Sequence, residues 1–250
     1  MNFTNTSNPA FSESRFTEAM QQFAGTGEMT MKGTATKTLL LFALVVLTGS
    51  ISWKLAMSGS SVVFPLMIAG SIGSLICAII CCTKQDKAHI VAPIYALCEG
   101  LMLGAISSMF NAAYSGIVFS AILLTIAISG VVFLCYRFGI LRASNTFVKI
   151  ISFATMGICA FYLISMLLRL FGIHLNVFEM GAVGLVIQLV IVAIAALNLV
   201  LDFNTIEKGI NSGAPAQFEW YAAFGLMVTL VWIYIEILRL LVIIAGKSRD

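Results

Sequence analysis

Long uninterrupted apolar runs constrain this chain more than any other feature. A helix needs roughly 20 apolar residues to cross about 30 Å of hydrocarbon, and seven stretches reach that length: Thr38 to Met57, Val62 to Cys82, Ile90 to Phe110, Gly116 to Tyr136, Thr146 to Leu170, Gly181 to Leu201 and Tyr221 to Ala245. The runs are continuous and lack the ten-residue alternation of a membrane barrel strand, so they predict an all-α membrane protein with seven transmembrane helices. Only 10% of the 250 residues are charged, against about a quarter in a soluble domain, which excludes a water-soluble core.

Charge placement sets the expected orientation. Lys32, Lys37, Lys84, Lys87, Arg137, Arg142, Lys149 and Lys208 flank spans on the side of the N-terminus, and Lys54, Arg169, Lys247 and Arg249 lie on the other. Eight against four predicts a cytoplasmic N-terminus and, after seven spans, an outer C-terminus. Residues 1–37 form a polar tail ahead of the membrane domain of residues 38–250, and no apolar core in it resembles a cleaved signal. In this tail Phe16, Ala19, Met20 and Phe23 share one helical face, which suits either an interfacial helix or a disordered tail. The sequon matches at Asn2 and Asn5 fall on the cytoplasmic side of this topology and are read as chance.

All six cysteines fall in apolar spans, where they act as small hydrophobes and point to neither disulfides nor zinc. Pro65 and Pro93 are each read as opening a helix. Ser71, Gly73 and Ser74, and separately Gly100 and Gly104, suit close helix contact. The fourth and fifth spans read as packing wall, and His174 as a solvated loop residue.

Chemistry is expected where acids enter the apolar runs. Glu99 is about ten residues from each end of the third span, near mid-depth, where an unpaired carboxylate costs several kcal/mol. It is therefore a functional candidate, or a protonated packing group. Asp202 stands at the inner end of the sixth span, whose helix is expected to run on through Lys208 to Gly209 and the breaker run SGAP. Glu236 lies near mid-depth in the last span, three residues before Arg239, so an ion pair on one helix face is an alternative to a functional role. A straight hairpin leaves Asp202 and Glu236 about 15 Å apart in height, closed only by a deeper sixth span or a bend, for instance at Gly225; otherwise Glu99 is the better partner for Glu236.

The phrase LDFNTIEKG, followed by a last span of the form WIYIEILRLL, resembles the final two helices of the Bax inhibitor family, and EGLMLGAIS at Glu99 to Ser107 is similar to its bacterial branch. The resemblance implies six helices wrapped around a central C-terminal seventh. It also implies a pH-sensitive Ca2+ leak gated by protonation of two acids, one from each of the last two helices. Asp202 matches the first, and Glu236 stands where the family usually has Asp. The family's arginine on the second helix has no counterpart here, which leaves Lys84, Lys87 or Arg239 as the nearest basic groups.

Asp202, Glu236, Glu99 and Arg239 are therefore the expected pH-sensing and ion-pathway residues, with Asp202 and Glu236 as transient Ca2+ sites and no tightly bound cofactor. Two carboxylates in a poorly hydrated site do not both ionise cheaply, which is the physical basis for such a switch. The expected partners are the lipid bilayer, Ca2+ and protons, and the expected location is a bacterial inner membrane; nothing points to nucleic acid. No serine with a base, HExxH or phosphate loop supports an enzyme. The competing readings are a non-conducting stress-response or cell-death modulator that binds another membrane protein, and a proton-coupled exchanger.

Overall fold

The computed structural model describes residues 27–173 and 181–247. The proposed interfacial helix, both sequons, His174 and Arg249 lie outside these residues. Seven long helices follow one another: α1 Met31–Met57, α2 Val63–Thr83, α3 Ala88–Ala113, α4 Ile117–Arg137, α5 Asn145–Leu170, α6 Ala182–Asn211 and α7 Phe218–Lys247, with a short 3-10 turn at Gln85–Lys87 before α3. Each is long and apolar enough to cross a membrane, so the chain is a multi-span helical membrane protein. The described residues contain no strand, only an isolated antiparallel bridge between Glu28 and Pro215.

Local chemistry accounts for the helix ends. Thr30 and Ser144 cap α1 and α5 by accepting from the backbone N–H groups of Gly33 and Phe147. Gly59, Gly116, Gly139 and Gly213 take positive φ in the connections, where a side chain would be strained. Pro93 does not open its helix. The 3-10 turn starts the chain turning early, so Ala88 becomes the first α3 residue and Pro93 sits inside the second turn. It therefore leaves a helical carbonyl without its usual N–H donor. The sixth run does continue as helix past Asp202, to Asn211, and α7 is continuous through Gly225.

The chain divides into two compact units. One contains residues 27–109 and 205–227, hence α1, α2, most of α3, the end of α6 and the start of α7; the other contains 110–173, 181–204 and 228–247. Burial is uneven among the helices. Half of the apolar window of α3 and 44% of those of α6 and α7 are buried, against 6% to 22% for the other four. The helices that carry Glu99, Asp202 and Glu236 are thus those with most protein around them, as a bilayer demands of intramembrane acids.

Within the first unit, α1 and α3 meet backbone to backbone. A Cβ at Gly104 would overlap the Gly49 carbonyl, and its distance to Gly49 Cα would be 2.8 Å. A Cβ at Gly100 would run into Thr48 and Val45. Without side chains at this crossing, dispersion and close packing can replace the hydrophobic drive that lipid removes. We therefore expect Gly104→Ala to destabilise the protein by about 1–3 kcal/mol, the usual cost of overpacking. Gly130→Ala on α4, where nothing lies within 4 Å, should instead be neutral or stabilising by about 0.5–1 kcal/mol from helix propensity. Unfolding of the two variants in detergent checks the contrast.

Candidate functional site

The second unit builds a polar cluster around Glu236, whose residue is 1% exposed. Three helices contribute. From α5, the Tyr162 hydroxyl donates to both Glu236 carboxylate oxygens at 3.0 Å. From α6, Gln188 Nε2 donates to Oε2 at 2.8 Å and to the Glu236 main-chain carbonyl at 2.9 Å. On α7 itself, Trp232 Nε1 reaches Oε1 from one turn before at 3.1 Å, and Arg239 Nη1 reaches it from one turn after at 3.4 Å. The Arg239 guanidinium also lies over the Tyr162 ring, 4.9 Å from its centroid, which joins an ion pair to a cation–π contact.

Gln188 is completely buried. Its amide orientation follows from the network, since reversing it would set an oxygen against two oxygens. The cost is visible at the other end of the amide, where the buried Oε1 has no hydrogen-bond partner.

Asp202 lies elsewhere on the same unit. It is half-buried, and its Oδ2 is buried without a hydrogen-bond partner. Thr229 of α7 stands beside its carboxyl. Thr229 precedes Glu236 by seven residues, so the two acids are about two turns, or about 10 Å, apart along α7. Glu236 is hydrogen-bonded to Tyr162, Gln188, Trp232 and Arg239, and not to Asp202. Next to Asp202, Phe203 packs edge-on against Phe133 of α4 and tilted against Tyr136, with ring centroids 5.4 and 5.6 Å away. One turn earlier on α6, Asn198 Nδ2 donates to Thr155 Oγ1 of α5 and to the Ile194 carbonyl, both at 2.8 Å.

Glu99 belongs to the first unit and is 5% exposed. Ser74 of α2 and Tyr95 of α3 stand beside its carboxyl. Tyr95 packs edge-on against Phe224 of α7 at 5.0 Å. The small-residue face of α2 therefore also supplies a hydroxyl to the acid.

A fourth acid, Glu219, was not visible as a candidate in the sequence because it precedes the last apolar run. It is 5% exposed at the start of α7. Oε1 accepts from the Thr30 backbone N–H and hydroxyl at 2.8 and 2.9 Å, and Oε2 pairs with Lys37 Nζ. Lys37 also lies over the Trp220 ring. A Cβ at Gly33 would overlap the Glu219 carboxylate, so the glycine lets an anion settle against the first turn of α1, where the helix dipole favours it. Backbone bonds from Met29 N to Ala214 O and from Ala216 N to Gly27 O, 2.7 and 2.9 Å, tie down the same segment.

Tyr162, Gln188 and Trp232 also escaped sequence reading. Tyr and Trp count as apolar in a hydropathy run, and the fifth span looked featureless, although its Tyr162 is central to the Glu236 cluster. A glutamine amid aliphatic residues at position 188 was the available signal. Among the described residues no three His, Cys, Asp or Glu side chains converge as a metal-binding set.

The family model described as Bax inhibitor 1 like matches residues 8–246. No curated protein and no solved structure matches the chain. The chain therefore belongs to the Bax inhibitor 1 like family.

Lys37→Met, which keeps the stem but leaves the Glu219 carboxylate without its cation, should lower stability by about 1–3 kcal/mol. Thermal unfolding in detergent reads this directly. A melting temperature equal to that of the unmodified protein would mean that the ion pair contributes nothing.

Proposed function

We propose that this member of the Bax inhibitor 1 like family is a pH-sensitive cation leak that passes Ca2+ and is controlled by its intramembrane carboxylates. In this reading it resides in a bacterial inner membrane with the N-terminus cytoplasmic and α7 as the central helix. The observation that carries it is the buried, unpartnered Oδ2 of Asp202 on α6. A carboxyl oxygen placed that way in a membrane helix is stabilised by taking a proton, a cation or water, and such groups mark ion and proton paths. Glu236 supplies a second negative charge about two turns along α7, among hydrogen-bond donors that fix its position.

The sign of the pH response follows from charge. An ionised Asp202 lowers the electrostatic barrier to a cation, and a proton on it restores that barrier, so flux falls as the medium is acidified. Hard cations that prefer oxygen ligands are the matching cargo. The full-length protein reconstituted alone in liposomes should release Ca2+ at neutral pH and less at acidic pH, and Asp202→Asn should make the flux independent of pH. An unchanged pH response in Asp202→Asn would remove Asp202 from the switch. Silent liposomes combined with a co-purifying membrane protein would instead favour a non-conducting modulator, and saturation with countertransport would favour an exchanger.

A further inference from the structure

The connection between α6 and α7, residues 212–217, is held by a segment far from it in the chain. Met29 N donates to the Ala214 carbonyl and Ala216 N to the Gly27 carbonyl, so Glu28 and Pro215 stand opposite each other as an antiparallel bridge pair. Both bonds belong to the residues that flank the pair, which makes it the kind that exchanges no hydrogen bond of its own. A proline fits there because its missing N–H is not called for.

Side chains close the same contact. Met29 and Ala214 are buried, and a Cβ at Gly209, near the end of α6, would come within 2.9 Å of Met29 Sδ. Thr30 donates to Glu219 through its N–H and its hydroxyl, and Lys37 Nζ donates to the Ala216 carbonyl at 3.3 Å. The end of α6, the connection and the first turn of α7 are thus gripped together. Capping of α1 needs only Thr30, so what residues 27–29 gain for the entropy lost in ordering them is this grip. Gly209 follows Asp202 by seven residues in one unbroken helix, about two turns on and on the same face.

We propose that residues 27–30 form a clasp that restrains the α6–α7 connection. Where flux is concerned this rests on the leak reading, and there the clasp acts as a brake, because it holds the end of the helix that carries Asp202. Gln217 Nε2, 3.0 Å from His89 Nδ1 of α3, gives the connection a second anchor, which the variants below leave in place.

Hydrogen exchange of the full chain in lipid reads the restraint at Ser212 and Gly213, whose amides donate to the Lys208 and Ile210 carbonyls and not to the clasp. Met29→Pro removes the donor to Ala214, and Gly209→Leu fills the place of the Met29 side chain from the other partner. Each should speed exchange at these two amides by about fivefold or more. Glu28→Cys with Pro215→Cys joins an opposed pair with Cα atoms about 4.5 Å apart in this kind of bridge, within disulfide reach. Its oxidised form should exchange more slowly than its own reduced form. In liposomes the two opening variants should raise Ca2+ flux several-fold, and the oxidised pair should lose flux that reductant restores, with neither single-cysteine variant responding to oxidant. Unchanged exchange at Ser212 and Gly213 in the opening variants would overturn the clasp. If those variants do not fold, the disulfide pair decides, and equal exchange in its two forms would overturn it. Altered exchange with unaltered flux in a conducting protein would overturn the brake. Absence of flux in every form would count against the leak, while the exchange rates would still decide the clasp.

Discussion

Hydrocarbon offers a carboxylate nothing to bond with, so each acid carried into these spans depends on what neighbouring helices present to it. Glu236 receives donors from α5, α6 and its own helix. That single requirement explains why polar side chains interrupt otherwise aliphatic faces. Gln188 is buried completely and leaves its own oxygen unsatisfied, a cost that only the bonds to Glu236 offset. Arg239 is 42% exposed in its side chain and can reach toward water while keeping the ion pair, which limits the desolvation cost of the charge.

The same requirement is met differently at the start of α7. Glu219 is held by Thr30, by Lys37 and by the N-terminal turn of α1, and Gly33 provides the space. Here the donors include backbone and helix dipole, where at Glu236 they are side chains. Close backbone approach recurs at the Gly49 and Gly104 crossing of α1 and α3, so within this unit the absence of a side chain decides both where helices touch and where an anion fits.

Span number and most span ends were legible in the sequence, because run length and helix stop signals act locally. The extension of α6 past Asp202 and its end before Gly213 followed from charged residues still in helical register and from the SGAP breaker. Pro93 was misplaced because a proline fits a first turn best, while the 3-10 turn ahead of Ala88 shifts the helix start. The acids within the spans were legible as exceptions to an apolar background. Their partners were not, since Tyr162 and Gln188 come from helices far away in the chain, as Thr30 and Lys37 do for Glu219, and hydropathy carries no information about which helix faces which. Resemblance supplied two acids, and the structure sets them about two turns apart along α7 with separate partners.

A direct energetic link between Glu236 and its donors underlies the stability of the cluster. A double-mutant cycle with Tyr162→Phe and Glu236→Gln, read as unfolding free energy in detergent, measures that link with the least interpretation. The predicted coupling is about 1 kcal/mol or more, as contacting members of one network show. Additive effects of the two substitutions would contradict it, since a hydroxyl that does not hold the carboxyl group adds nothing to the cluster.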